Sequence, residues 1–132
     1  MQALVISADP ELRRQLAVTI RSAERRTGER WGFLEAANGI EGLKIAWRAL
    51  PDVVVADEIA SGAGAFAVAK DLTGAATPFP GAVVLVLDRA QDEWLAEWSG
   101  ADAWVVKPVD PFALSDIVTE LVERRAVRKE TV

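Results

Sequence analysis

Pro51-Asp52-Val53-Val54-Val55-Ala56-Asp57 is the stretch on which the fold turns. Three consecutive β-branched residues without polar alternation describe a strand covered on both faces, since a half-solvated strand would alternate apolar and polar side chains. The run stops at an acid. Toward the N-terminus, Ala3-Leu4-Val5-Ile6 is a similar run that stops at Ser7-Ala8-Asp9-Pro10. Asp9 is placed to cap a helix with Pro10 at its first position, where a missing N–H costs nothing. That helix is expected to run to about Arg26, with Leu12, Leu16 and Ile20 on one face and Arg13, Arg14, Arg21, Arg25 and Arg26 on the solvated side. Thr27-Gly28 should end it. Trp31–Ala36 reads as a weaker strand, followed by a turn at Asn38-Gly39 and a helix to about Leu50 that buries Leu43, Ala46 or Trp47, and Leu50.

Toward the C-terminus the pattern repeats. Ser61-Gly62-Ala63-Gly64 reads as loop, Phe66–Leu72 as a short helix and Thr73–Gly81 as a Pro/Gly connection. Ala82–Leu87 is the most apolar strand and runs directly into Asp88. A short helix over Asp92–Ser99 precedes a last strand, Ala103–Val106, and Lys107-Pro108. The final helix is expected from about Pro111 to Arg125, with Leu114, Ile117, Val118 and Leu121 inward, leaving 126–132 as a charged, frayed tail. Five β–α units with right-handed crossovers make an α/β fold, a parallel sheet with helices on both faces, in one domain over residues 1–125. In such sheets functional groups gather at the carboxyl ends of the strands, near the point where strand order reverses. Those ends carry Ser7, Ala8, Asp9, Asp57, Asp88 and Lys107.

Composition narrows the chemistry. The 132 residues include no Cys and no His, so thiolate nucleophiles, disulfides and imidazole bases are excluded, and a transition metal would find only carboxylates. Fifteen basic against 20 acidic residues give a net charge of −5, which argues against direct nucleic-acid binding. No apolar stretch approaches the roughly 20 residues that span a bilayer, and the N-terminus lacks a basic region before its short apolar run. A cytoplasmic protein without membrane contact is the expectation.

Three segments together carry a resemblance: Glu35-Ala36-Ala37-Asn38-Gly39, Pro51 to Asp57, and Gly100-Ala101-Asp102-Ala103-Trp104-Val105-Val106-Lys107-Pro108. With the order of elements, they resemble a response-regulator receiver domain from Leu4 to Arg125. The resemblance implies the flavodoxin-like (CheY-like) doubly wound sheet of order 2-1-3-4-5 in three α/β/α layers. It also implies Asp57 as the position that accepts a phosphoryl group from a histidine kinase in a phosphorelay.

The departures from the family pattern are chemical. Receivers carry a pair of acids after the first strand that help hold Mg²⁺; here those positions are Ser7 and Ala8, and only the following acid, Asp9, remains. Asp57, Asp9 and the backbone carbonyl of Ile59 are the residual candidates for a metal, so Mg²⁺ binding is expected to be weak or absent, with no other cofactor. Where receivers place Ser or Thr after the fourth strand stands Asp88, whose charge repels a phosphoryl group. An Asp57–Lys107–Asp88 cluster that fixes the switch loops without phosphate or metal is the reading these changes favour. Asp88 then either stands in for a phosphate charge or disables the site. The expected function is a pseudo-receiver: a non-enzymatic signalling module with impaired Mg²⁺-dependent phosphorylation. The alternative is a receiver still phosphorylated at Asp57, slowly or with Asp9 or Glu58 assisting the metal.

The family's output surface lies on the fourth helix, last strand and last helix, and is where a homodimer, kinase, output domain or other signalling protein would meet the chain. Trp104 occupies the switch-aromatic position. Trp94 and Trp98 are four residues apart on the fourth helix, each about 160° from Ala96 if Ala96 faces the core. Both then face solvent as interface residues. Because that helix is about one turn shorter than usual, a shifted register that buries one or both is the competing reading. Trp31 and Trp47 read as packing residues. The basic segment from Arg124 to Lys129 reads as a solvated helix end or the start of a linker. A flavin or nucleotide binder using Ser61-Gly62-Ala63-Gly64 has little support without a G-x-x-x-x-G-K-[ST] motif, and a metallohydrolase has less.

Overall fold

A computed structural model describes the backbone of residues 1–58 and 64–131 and the side chains of these segments up to Arg125. Five parallel strands, β1 (Gln2–Ile6), β2 (Gly32–Ala36), β3 (Val53–Asp57), β4 (Ala82–Leu87) and β5 (Ala103–Val106), form one sheet of order β2-β1-β3-β4-β5. The helices are α1 (Pro10–Arg21), α2 (Glu24–Thr27), α3 (Gly39–Ala49), α4 (Ala65–Gly74), α5 (Glu93–Trp98, preceded by a 3₁₀ turn over Ala90–Asp92) and α6 (Pro111–Thr131). This is the CheY-like, flavodoxin-like α/β/α arrangement expected from the sequence. No helix among the described residues is long and apolar enough to cross a membrane.

The unbroken apolar runs follow from burial on both faces. Alternate residues of the central strands divide between two cores. Leu4, Ile6, Val54, Ala56, Val83, Leu85 and Leu87 pack under α3, α4 and α5. Ala3, Val5, Val53, Val55, Ala82, Val84 and Val86 pack with Leu16 and Ile20 of α1 and Leu114, Val118 and Val122 of α6. Polar caps start the helices: the Asp9 carboxylate accepts the Glu11 N–H, the Asn38 amide oxygen accepts that of Glu41, and the Asp110 carboxylate accepts that of Phe112. At the opposite strand ends acids complete the sheet, with Asp52 accepting the Gln2 N–H and Asp102 that of Val83, both at 2.7 Å.

Several local expectations are corrected. The first helix does not continue to Arg26. It stops at Ser22, whose hydroxyl donates to the Thr19 carbonyl at 2.5 Å and competes with the helical ladder; α2 is a separate turn closed by Gly28 at φ +73°. Leu50 is not buried but 52% exposed, because α3 ends at Ala49 and Leu50 takes a left-handed conformation that swings it out of the apolar stripe. Trp31 is buried, whereas Trp47 is partly exposed and meets the Phe79 ring edge-on at 5.9 Å. The last helix runs through Thr131, past Arg125 and through most of the expected frayed tail.

Candidate functional site

The register places the site. β3 pairs Asp57 with Val86 of β4, and β4 pairs Leu87 with Val106 of β5. The strand order β1-β3-β4-β5 therefore lines up Ser7, Asp57, Asp88 and Lys107 in a row at the carboxyl ends. Order reverses between β1 and β3, so Ser7 and Asp57 flank the switch point.

Lys107 bridges the two carboxylates. Its Nζ lies 2.7 Å from Asp57 Oδ1 and 2.8 Å from Asp88 Oδ1. The contact to Asp88 is a well-formed hydrogen bond. The approach to Asp57 lies off the hydrogen-bonding direction and is an ion pair. Asp57 is fully buried, whereas Asp88 is partly exposed. Burial pulls the Lys107 ammonium pKa down, but the close carboxylates of Asp57 and Asp88 outweigh it, so the net shift is upward. The other Asp57 oxygen is held too: the buried Ser7 hydroxyl donates to Oδ2 at 2.7 Å.

The remaining acids have other partners. The Asp9 carboxylate caps α1, and its own N–H donates to Ser7 Oγ at 3.1 Å. Ala8 is exposed. The Ile59 carbonyl and Ser61-Gly62-Ala63 lie outside the described residues; Gly64 precedes α4 as its N-cap. Among the described residues no group of three or more acidic side chains is placed to hold a metal ion. Mg²⁺ needs several oxygen ligands in octahedral geometry. Among the described residues the two oxygens of Asp57 meet the Ser7 hydroxyl and the Lys107 ammonium.

Two residues do more than the sequence suggested. Arg13 is not simply solvated: its guanidinium donates to the Ser7 carbonyl at 2.6 Å and pairs with Glu35 at 3.2 Å. Glu58, foreseen only as a helper for a metal, accepts the Asp88 N–H at 2.5 Å and so ties the β3 end to the β4 end. Desolvation and then the neighbouring Asp92 carboxyl raise the Glu58 pKa, while Asp92, hydrogen-bonded by Glu58 and Arg89, is lowered. Sequence adjacency to Asp57 was the available signal for Glu58.

On the outer side of α5, Trp94 and Trp98 are 66% and 56% exposed and Ala96 is buried, so the shifted register is not realised. Lys70 of α4 sits 4.8 Å over the Trp98 ring. Trp104 packs against the core beneath α5, and its indole N–H donates to Glu93 Oε2 at 2.9 Å. The cis Lys107–Pro108 peptide joins β5 to the loop before α6.

A five-stranded parallel sheet of this order, with an acid ending β3 and a Lys following β5, is the arrangement of a receiver domain. No protein-family model matches the chain. It is 34% identical over 94 residues to the uncharacterized response regulatory protein Rv3143 of Mycobacterium tuberculosis H37Rv, covering 71% of this chain and 70% of that protein, and matches its counterpart MT3230 of strain CDC 1551 equally. Among solved structures, chemotaxis response regulator CheY4 of Vibrio cholerae superposes with a TM-score of 0.76 at 20% identity, over 91% of this chain and 97% of that one. The receiver domain of sensor histidine kinase PA1611 from Pseudomonas aeruginosa, a structure with magnesium coordinated in its cleft, gives 0.78 at 14% identity over 92% and 97%. The chain belongs to the response-regulator receiver family of two-component signalling.

Proposed function

We propose that this receiver is a pseudo-receiver: a protein-interaction module whose pocket is held in one arrangement by its own charges, with Mg²⁺-dependent phosphorylation of Asp57 impaired. The observation that carries this reading is Lys107 bridging Asp57 and Asp88 at 2.7 and 2.8 Å. Phosphoryl transfer to a carboxylate depends on positioning and on neutralising charge around the incoming group. Here the neutralising cation is divided between two resident carboxylates, one of them at the position of the family's Ser or Thr that meets the phosphoryl group. Asp88 supplies the negative charge that engages Lys107 without phosphate. The module is not an enzyme and takes no cofactor, and Mg²⁺ binds weakly or not at all.

Its partners are proteins, either a kinase, an output domain or another signalling protein, with a second copy of the chain as a further candidate. The meeting surface is the outer face of α5 with β5 and α6, where Trp94 and Trp98 are exposed and Trp104 links strand to helix. Large exposed aromatic pairs are what binding hot spots are built from. Direct contact with nucleic acid or membrane forms no part of the reading.

Asp57 and Lys107 at their family positions favour one second reading, a receiver still phosphorylated at Asp57. Incubation with acetyl phosphate and Mg²⁺ followed by intact-mass measurement separates the two. The unmodified mass is expected; stoichiometric phosphate, lost in Asp57→Ala, contradicts the pseudo-receiver.

A further inference from the structure

Ser7 occupies a position where receivers carry an acid, yet the pocket does not treat it as a vacancy. Each of its polar atoms is engaged. Its N–H donates to the Ala36 carbonyl of β2 at 3.0 Å, and its carbonyl accepts from Arg13 of α1 at 2.6 Å. Its hydroxyl donates to Asp57 Oδ2 at 2.7 Å and accepts the Asp9 N–H at 3.1 Å. Ser7 and Asp57 are both fully buried, so the bond between them does not compete with water, whereas the Asp9 bond is partly buried. Asp9 in turn caps α1 through its carboxylate, and Arg13 reaches on to Glu35 of β2.

We infer that Ser7 is a positioning residue for Asp57: its hydroxyl fixes the second carboxylate oxygen and couples the start of α1 to the pocket, a joint that needs no metal. The inference rests on the reading of a pocket satisfied by its own residues, and it names the residue that completes it. Ion pairing by Lys107 alone would leave Oδ2 free to turn toward a cation. The Ser7 hydroxyl holds that oxygen, so a ligand of Asp57 must first displace a buried donor. In the other direction, loss of the Asp57 carboxylate releases the hydroxyl, and with it the acceptor of the Asp9 N–H at the first turn of α1.

Amide hydrogen exchange at Asp9, followed by NMR without phosphate donor or metal, tests the coupling at the far end of the joint. The Asp9 N–H is held by a neutral hydroxyl, so losing that acceptor should accelerate exchange about fivefold in Asp57→Ala. Ser7→Val should give a similar acceleration, Ser7→Thr should stay near wild type, and the double variant Ser7→Val/Asp57→Ala should gain little over either single one. Unchanged Asp9 exchange in a folded Asp57→Ala variant overturns the coupling. The Asp57 side-chain carboxyl ¹³C resonance gives an independent reading that does not need Asp57→Ala to fold. It should move in Ser7→Val and stay in Ser7→Thr, which share a shape and differ in the hydroxyl, whereas equal shifts in both overturn the role. Because neither measurement involves phosphorylation, a positive mass-spectrometric result for Asp57 would refute the pseudo-receiver while leaving the Ser7 joint to be judged on its own.

Discussion

Asp57 is fully buried, and Lys107 is the cation that faces it. Removing one partner of a buried pair leaves an uncompensated charge, so Lys107→Ala should lower unfolding stability by about 3–5 kcal/mol at pH 8, measured by urea denaturation. No change would mean that water already solvates the cluster. Asp57, Asp88 and Lys107 were legible in the sequence because each directly follows an apolar run, and parallel strands deliver such residues to one edge. The joint made by Ser7 was not legible, since the missing acid is visible in one dimension and the distance to Asp57 only across the paired strands. Arg13 escaped for another reason. Helical periodicity puts its Cα on the solvated side, but side chains lean toward the helix N-terminus and a long stem carries the guanidinium back to the Ser7 carbonyl.

At the scale of elements, the parallel strands were readable because their apolar runs are uninterrupted, and the helix ends were less so because single residues decide them. Leu50 shows why: continuing the Leu43–Ala46 spacing predicts burial, but the helix stops one residue earlier and Leu50 adopts φ +47°. A left-handed non-glycine residue costs roughly 1–2 kcal/mol, and Leu50 is half exposed. Leu50→Gly should therefore stabilise the chain by about 1 kcal/mol in chemical denaturation; a loss would show that its remaining contacts outweigh the strain. The tight α4–α5 packing makes the opposite demand at Gly100, where φ is +82° and an added Cβ would meet Thr73 Oγ1 at 2.5 Å. On α5, Trp94 is largely free of the core, so Trp94→Ala should change stability by less than about 0.5 kcal/mol. Any self-association or partner binding, followed by sedimentation or pull-down, should weaken markedly. Unaltered association would move the interaction surface off this helix.

Across the whole molecule, four strand ends are tied to one another by residues of the chain itself. Ser7 joins β1 to β3, Glu58 joins β3 to β4, and Lys107 joins β5 to both β3 and β4. The pH dependence follows from the raised Lys107 pKa. A cation whose pKa is higher folded than unfolded stabilises fully below its unfolded value, near 10.5, and that contribution is lost as pH rises through the folded value. The Lys107 contribution to stability should thus persist through neutral pH and fall away only in strong alkali, an effect absent from Lys107→Met when melting temperatures are compared across pH. The central claim, that the pocket is already satisfied without metal or phosphate, meets its most direct test in ¹⁹F NMR of the chain titrated with beryllofluoride in the presence of Mg²⁺. The account predicts no protein-bound fluoride resonance at equimolar protein; a stoichiometric bound signal that disappears in Asp57→Ala would contradict it.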